Sequence, residues 1–362
     1  MIRHERIRFK VLRRGGDYAY LYAISAPILS CKSDGEIKMS LRGEFRADAY
    51  DANGHVVDVD WLSDEIKPIL IIDGEEHSLG VLSPSTVTVD KTNTGESVKI
   101  EAYDRCWIVR DTKIESILHL SQGAKYTDVI EQRLTASGIG AIISVPSAAV
   151  LTEDREDWAV GTSNLTIVND LLKEINYKQL FFNSDGVAML EPKASATAAN
   201  IKHILSTKRK EVRDPKTIGI IPMSLNISFK TDVYNMPNVF VCTCANPDKS
   251  GIMTARAENT NPQSPLSVLR RGRRIVDFEN INNIASQEEL QNYVDQKRNR
   301  SMITGEVISC ETLLYPGFGV DDVTAIQTDV LNDLCVETEW EMELKPGGKM
   351  RHTIERVVYN LD

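Results

Sequence analysis

Glu36-Ile37-Lys38-Met39-Ser40-Leu41-Arg42-Gly43-Glu44-Phe45 changes character at every step. Ile37, Met39, Leu41, Gly43 and Phe45 fall on one side, and Glu36, Lys38, Ser40, Arg42 and Glu44 on the other. Successive side chains of a strand point to opposite faces, so this pattern predicts a strand with one buried and one wet face. The same period returns at the far end, where Val336, Thr338, Trp340, Met342 and Leu344 alternate with Glu337, Glu339, Glu341 and Glu343. There it places the four glutamates together on one solvated face. A third alternating stretch sets Met223, Leu225, Ile227 and Phe229 against Ser224, Asn226, Ser228 and Lys230.

Outward from the first strand, Asp51-Ala52-Asn53-Gly54, Asp73-Gly74 and Asn93-Thr94-Gly95 each sit between strand-like runs. Asn-Gly and Asp-Gly supply the positive φ that tight hairpins need. Short strands with turns between them are the pattern of a small barrel or sandwich. The texture changes near Trp107. From Ala124 to Leu134, Tyr126, Val129, Ile130 and Leu134 recur at helical spacing. A second helix is opened by Ser163 as cap and carries Leu165, Val168, Leu171, Leu172 and Ile175 on one face. Tyr177 to Leu190 reads as a hairpin turning at Asn183-Ser184-Asp185-Gly186. An Ala/Ser/Thr-rich stretch at 194–200 and the basic run Lys208-Arg209-Lys210 mark a boundary. A capping box, Ser286-Gln287-Glu288-Glu289, then starts a helix bearing Leu290, Tyr293, Val294 and Lys297. The expected fold is therefore α+β, mainly β. Two small β-barrel-like domains, 1–108 and 201–362, flank an α/β module at 109–200, and a helix-containing segment of about 246–301 is inserted in the second.

Composition narrows the function. Hydrophobic residues make up 42% of 362 residues and charged residues 26%. No apolar run approaches the roughly 18 residues of a membrane span, so no membrane anchor is expected. The N-terminus, Met1 to Phe9, alternates charged and apolar residues instead of forming an export signal. A net charge of −10 argues against a dedicated nucleic-acid binder. Six cysteines without tight spacing fit a reducing compartment or simple burial, and a cytosolic site of synthesis is the expectation.

Candidates for chemistry are few. Two catalytic carboxyls act across a cleft from different elements, so the glutamate row Glu337 to Glu343 does not fit glycoside hydrolysis. Cys242-Thr243-Cys244 places two thiols on one strand face, half of a zinc site if Cys310 or Cys335 joined them, but no histidine lies close in sequence and burial is the simpler reading. Arg270-Arg271-Gly272-Arg273-Arg274 and Lys208-Arg209-Lys210 lack the interleaved aromatics that stack bases. Glu153-Asp154-Glu156-Asp157 departs from the calcium-loop pattern. His4, His55, His77, His119, His203 and His352 are scattered and match no nucleophile or metal motif. Trp158 and Trp340 read as packing anchors. Catalytic, cofactor-binding and metal sites are all expected to be absent.

Particular stretches carry a resemblance. Glu101-Ala102-Tyr103-Asp104-Arg105-Cys106-Trp107 closes the first β region, and Lys125-Tyr126-Thr127-Asp128-Val129-Ile130 follows. Then come Trp158 to Leu172, running into Ile175-Asn176-Tyr177 and Leu180-Phe181-Phe182-Asn183, next Pro262 to Arg274, and Tyr315-Pro316-Gly317. In this order they resemble the baseplate hub proteins of contractile-tailed phages, phage-like bacteriocins and the spike base of type VI secretion. The resemblance implies a homotrimer whose two barrels per chain form a pseudo-sixfold ring. That ring would meet the hexameric tail tube or a distal tail protein on one side, and a trimeric spike or tape-measure protein on the other. Other baseplate proteins would surround it, and DNA would contact the lumen only in transit. It also places the chain in the virion tail, assembled in the host cytoplasm, with a structural role and no fused enzyme after Asp362. An acidic face formed by the four glutamates is one reading of the lumen wall. The rival readings are a tail-associated peptidoglycan hydrolase, which needs a cleft with convergent carboxylates or a metal, and a receptor- or carbohydrate-binding module. The latter would expose aromatics on loops, and only 6% of residues are aromatic.

Overall fold

The computed structural model describes residues 3–93, 95–194, 196–207, 219–224, 226–231, 236–245, 252–281, 287–301 and 303–357. The fold is α+β and mainly β. Lys208-Arg209-Lys210, Leu225 and the capping residue Ser286 lie outside the described residues.

The first region contributes β1 (Glu5–Arg13), β2 (Gly16–Leu21), β3 (Ile28–Lys32), β4 (Met39–Arg46), β5 (Glu65–Ile72), β6 (Leu82–Thr92) and β7 (Gly95–Asp104). The expected hairpins are present. Asp73 and Gly74 take φ of 50° and 96° between β5 and the strand Glu75–Ser78, and Gly95, the first residue of β7, takes 148°. Asp51 holds its own turn by accepting the backbone N–H of Asn53 and His55 at 2.8 Å each. A hairpin absent from the sequence reading joins β1 to β2 at Arg14-Gly15, where Arg14 adopts φ 53°.

The middle region holds α1 (Tyr126–Ala136) and α2 (Asn164–Glu174). Ser163 caps α2, its Oγ accepting Thr166 N–H at 3.0 Å. Val129, Ile130 and Leu134 of α1 meet Leu165, Val168, Leu171 and Leu172 of α2 in a core separate from that of the strands. The hairpin Phe181–Phe182 to Ala188–Leu190 turns on Asn183, whose Oδ1 accepts Asp185 and Val187 N–H.

The last region adds β8 (Ile201–Ser206), β9 (Ile220–Pro222) and β10 (Ser228–Thr231). Then follow β11 (Val239–Ala245), β12 (Ile252–Glu258), β13 (Val276–Ile281) and α3 (Gln287–Ser301). The chain closes with β14 (Ile303–Leu313), β15 (Val323–Gln327), β16 (Asn332–Glu343) and β17 (Lys349–Val357). The stretch Met223 to Phe229 is not the single strand expected. Met223 makes only an isolated bridge to Thr312, pairing resumes at Ser228, and Phe229 is 45% exposed. Strands β11 to β13 form their own sheet, packed through Phe240, Cys242 and Cys244 against Leu290 and Val294 of α3.

The two ends of the chain share one hydrogen-bonded network because β3 pairs antiparallel with β16, from Lys32↔Glu339 to Ile28↔Glu343. Their buried faces form one core. Among the described residues neither half closes on itself through a regular ladder. Single pairs bridge the gaps, Ala23↔Phe45 and Ile66↔Leu82 in the first and Met223↔Thr312 in the second.

Two buried lysines tie the regions together. Lys38 Nζ donates to the Ser33 and Gly35 carbonyls and to Gln179 Oε1 at 2.5 to 2.7 Å. Lys178 Nζ donates to the Val320 carbonyl at 2.9 Å and pairs with Glu191 at 2.8 Å. A buried ammonium is tolerated only when such acceptors replace its water. Burial still lowers the Lys38 pKa. Arg105 adds a third tie, bidentate to Glu65 and donating to the Gly186 carbonyl.

Candidate functional site

Eight strands run side by side in the order β6-β7-β4-β3-β16-β17-β14-β10, every neighbouring pair antiparallel. One face of this sheet is the core. The other carries a ladder of charges of both signs. Lys99 pairs with Asp90 at 2.7 Å, Arg42 with Glu101 at 2.6 Å and Lys32 with Glu339 at 2.9 Å. Arg351 reaches Glu341 at 3.2 Å and Glu311 at 3.4 Å, and Lys349 also meets Glu311, at 2.6 Å. Exposed pairs of this kind contribute at most ~1 kcal/mol each. Their importance is the surface they make, broad, hydrophilic and near neutral.

Three of the four glutamates lie on this face, each with a cation, since Lys345 takes Glu343. The acidic face, one reading of the glutamate row, is therefore corrected to a mixed one. Glu337 is also corrected. A register shift between Glu337 and Glu339 turns it inward, to 1% exposure.

Both outer edges of the sheet are open among the described residues. Beyond the single pair Ile66↔Leu82, β6 has no partner opposite β7. The only ladder of β10 is with β14.

Inside the second β region, Glu337 meets a buried polar cluster. Its Oε1 lies 3.1 Å from His352 Nδ1, and His352 Nε2 lies 2.9 Å from Thr312 Oγ1. His203 Nε2 faces Asp322 at 3.3 Å, and Lys202 reaches the same carboxylate at 2.7 Å. Phe318 separates the two imidazoles, with ring centroids 3.9 Å from His203 and 4.7 Å from His352. Burial raises the Glu337 pKa despite the attraction of His352. Burial also acts on Asp322, but His203, Lys202 and the Gly319 N–H outweigh it and hold that carboxyl down to about 2.

Hydroxyl, imidazole and carboxylate in line is the order of a nucleophile, its base and the base's orienter. Here, though, Thr312, His352 and Glu337 are 5%, 1% and 1% exposed, and the Thr312 hydroxyl donates to the Leu313 carbonyl. No substrate reaches such a group. The cluster is part of the buried core. Sequence parity did signal His352, which stands two residues from each of the buried Met350 and Ile354. Its convergence with Glu337 and His203 required the tertiary structure.

The remaining candidates separate. Cys242 and Cys244 lie in the α3 core, while Cys310 and Cys335 lie in the main one. Among the described residues, no group of three or more His, Cys, Asp or Glu is placed to hold a metal. Asp157 pairs with His119 at 2.7 Å, whereas Asp154 accepts Gln122 N–H. Arg271 donates to the Met236 carbonyl and Arg274 meets Glu258 at 3.4 Å, above buried Asn238, Asn259 and Ser264, which wire the 262–274 loop. Trp158 donates to Asp170 at 3.0 Å under the Arg155 guanidinium, and Trp340 is 4% exposed in the core. No helix of the described residues is long and apolar enough to cross a membrane.

Compared by sequence, the chain matches no family model and no curated protein. Compared by structure, it is similar to the tail protein from Neisseria meningitidis MC58, with a TM-score of 0.67 at 8% identity over 96% of both chains. It is similar to the tail protein of prophage MuSo2 from Shewanella oneidensis, at 0.65 and 11%, over 97% of this chain and 98% of that one. An E. coli type VI secretion component, described as structurally similar to T4 bacteriophage tail proteins, aligns at 0.52 and 9%, over 97% of this chain and 77% of its own. Identities this low establish a shared fold, that of phage tail proteins and of a type VI secretion component.

Proposed function

We propose that the chain is a structural ring subunit of a phage-type tail, a baseplate hub in which three copies form a pseudo-sixfold ring around the tail lumen. The observation that carries this reading is the eight-stranded sheet, shared by both halves and, among the described residues, without a further ladder at either edge beyond the pair Ile66↔Leu82. Each half contributes four antiparallel strands outward from the β3–β16 seam, β4, β7 and β6 after β3, and β17, β14 and β10 after β16. Two like units per chain let threefold symmetry imitate sixfold. The single-residue bridges Ala23↔Phe45 and Met223↔Thr312 support a barrel-like form for each.

The β6 edge of one copy would meet the β10 edge of the next, a head-to-tail contact that closes a ring and covers both of these edges. The near-neutral face would then line the lumen, holding passing DNA weakly because it offers few uncompensated cations for phosphates. Separate cores support the module at 109–200 and the insertion at 246–301, while the domains 1–108 and 201–362 are proposed as the two four-stranded halves that share the main core. A tail-tube or distal tail protein and a spike or tape-measure protein would flank the ring in the virion baseplate, with other baseplate proteins around it. The role is structural and non-enzymatic, in keeping with the sealing of the one hydroxyl–imidazole–carboxylate array described above.

The test is solution mass by light scattering across concentration and salt. Three subunits are expected for the native chain, and one for Thr88→Pro combined with Phe229→Asp, which block the two edges. A native chain that stays single at every concentration, and after addition of tail-tube or spike protein, overturns the reading.

A further inference from the structure

A split in the wall of the first β region points to a second interaction surface, distinct from the sheet edges of the ring. Strand β1 is paired with β5 from Glu5 to Leu12, but with β2 only from Phe9 onward. After Leu21 the chain leaves β1 and crosses to β4, where Ile24 N–H donates to the Glu44 carbonyl at 2.8 Å and Arg46 N–H to that of Tyr22 at 2.9 Å. Glu5 to Arg8 thus keep one strand edge with no ladder among the described residues. Between this edge and residues 22–26 lies a cleft of about 890 Å³, ended by Leu344 to Pro346. Tyr22 and Ile24 stand 52% and 54% exposed on its rim, with Tyr50 edge-on to Tyr22 at 5.6 Å.

The charges of the cleft are biased. Arg6, Arg8 and Lys345 line it, against the single carboxylate of Asp51. That carboxylate is already engaged by the Asn53 and His55 N–H groups. Arg8 is shared with Glu76 at 2.6 Å and lies over the Tyr20 ring, and Lys345 pairs with Glu343. Arg6 is exposed and makes no ion pair among the described residues. In a chain of net charge −10 this is a local excess of positive charge. We propose that the cleft docks an extended, acidic segment of a partner protein by strand addition to Glu5–Arg8. Main-chain hydrogen bonds would give the affinity, and Arg6 with the tyrosine rim would select the side chains. The proposal does not rest on the ring reading.

The probe is a fluorescein-labelled peptide of alternating valine and glutamate, titrated against the full chain by anisotropy. Saturable binding is expected, roughly tenfold weaker in Arg6→Glu and in high salt, and weaker in Tyr22→Ala, with the lysine analogue and a peptide N-methylated at every position inactive. Both substituted side chains are exposed, and circular dichroism verifies that the variants fold. Absence of binding to the native chain, or equal binding by Arg6→Glu or by the N-methylated peptide, overturns the proposal. So does a fall in solution mass caused by Arg6→Glu alone, which would assign the cleft to a second copy of this chain.

Discussion

Replacing Glu337 or His352 by leucine tests whether the buried cluster specifies the core. Both side chains are 1% exposed and 3.1 Å apart, so neither can exchange its partner for water. Removing one member of a buried pair costs ~3–5 kcal/mol, because the survivor is left desolvated and alone. The structure separates the two cases. Glu337→Leu leaves His352 its contact with Thr312 at 2.9 Å, which puts the loss near the lower figure. His352→Leu strands a carboxylate whose second oxygen already has no partner among the described residues, which puts it near the upper. At ~2–4 °C per kcal/mol for a domain of 150–250 residues, the melting point falls by about 6–20 °C. The double substitution places two apolar side chains in the same space and is expected to be more stable than His352→Leu alone. Urea unfolding of the four proteins gives the coupling directly. Additivity within ~0.5 kcal/mol would refute the pairing argument, since uncoupled sites add to that precision.

Asp104 is buried and accepts N–H groups of Lys38, Met39 and Cys106, yet burial outweighs them and pushes its carboxyl up to about 6. A raised acid binds its proton more tightly when folded, so its contribution to stability declines as pH rises from about 4 to about 6. Asp104→Asn is expected to flatten the unfolding free energy across that window, and an unchanged pH profile would contradict the assignment. Ser163→Ala removes the α2 cap and is expected to cost ~1 kcal/mol in urea unfolding, while Ser163→Asp retains most of the stability.

Much of the fold was legible because local chemistry decided it. Asp73-Gly74 makes its turn from residues that tolerate positive φ, and Ser163 caps the helix whose apolar stripe follows it. Leu41 and Phe45 are buried as their spacing requires. Where a single residue changes the register, the pattern misleads. The irregularity after Glu337 inverts one glutamate of four, and nothing in an alternating sequence announces it. The Arg14-Gly15 turn was equally hidden, since arginine seldom takes a left-handed conformation. Burial of Lys38 and Lys178 depends on acceptors far along the chain, Gln179 Oε1 and the Val320 carbonyl, that neither lysine's neighbourhood in sequence announces. Of the candidate interaction face, the individual strands were readable and their order was not, because neither β3 nor β16 encodes in its own residues that the other is its neighbour.

The β3–β16 seam also constrains how the chain is made. Lys32 finds Glu339 across 339 − 32 = 307 residues. At ~5–20 residues per second of synthesis, β3 waits roughly 15–60 s for its partner. Throughout that interval the nascent first half presents an unsatisfied strand edge beside Leu29 and Cys31, side chains that end up buried. The first half therefore cannot complete its sheet while it is being translated, and it emerges as a client for whatever shields strand edges in the cell that produces it.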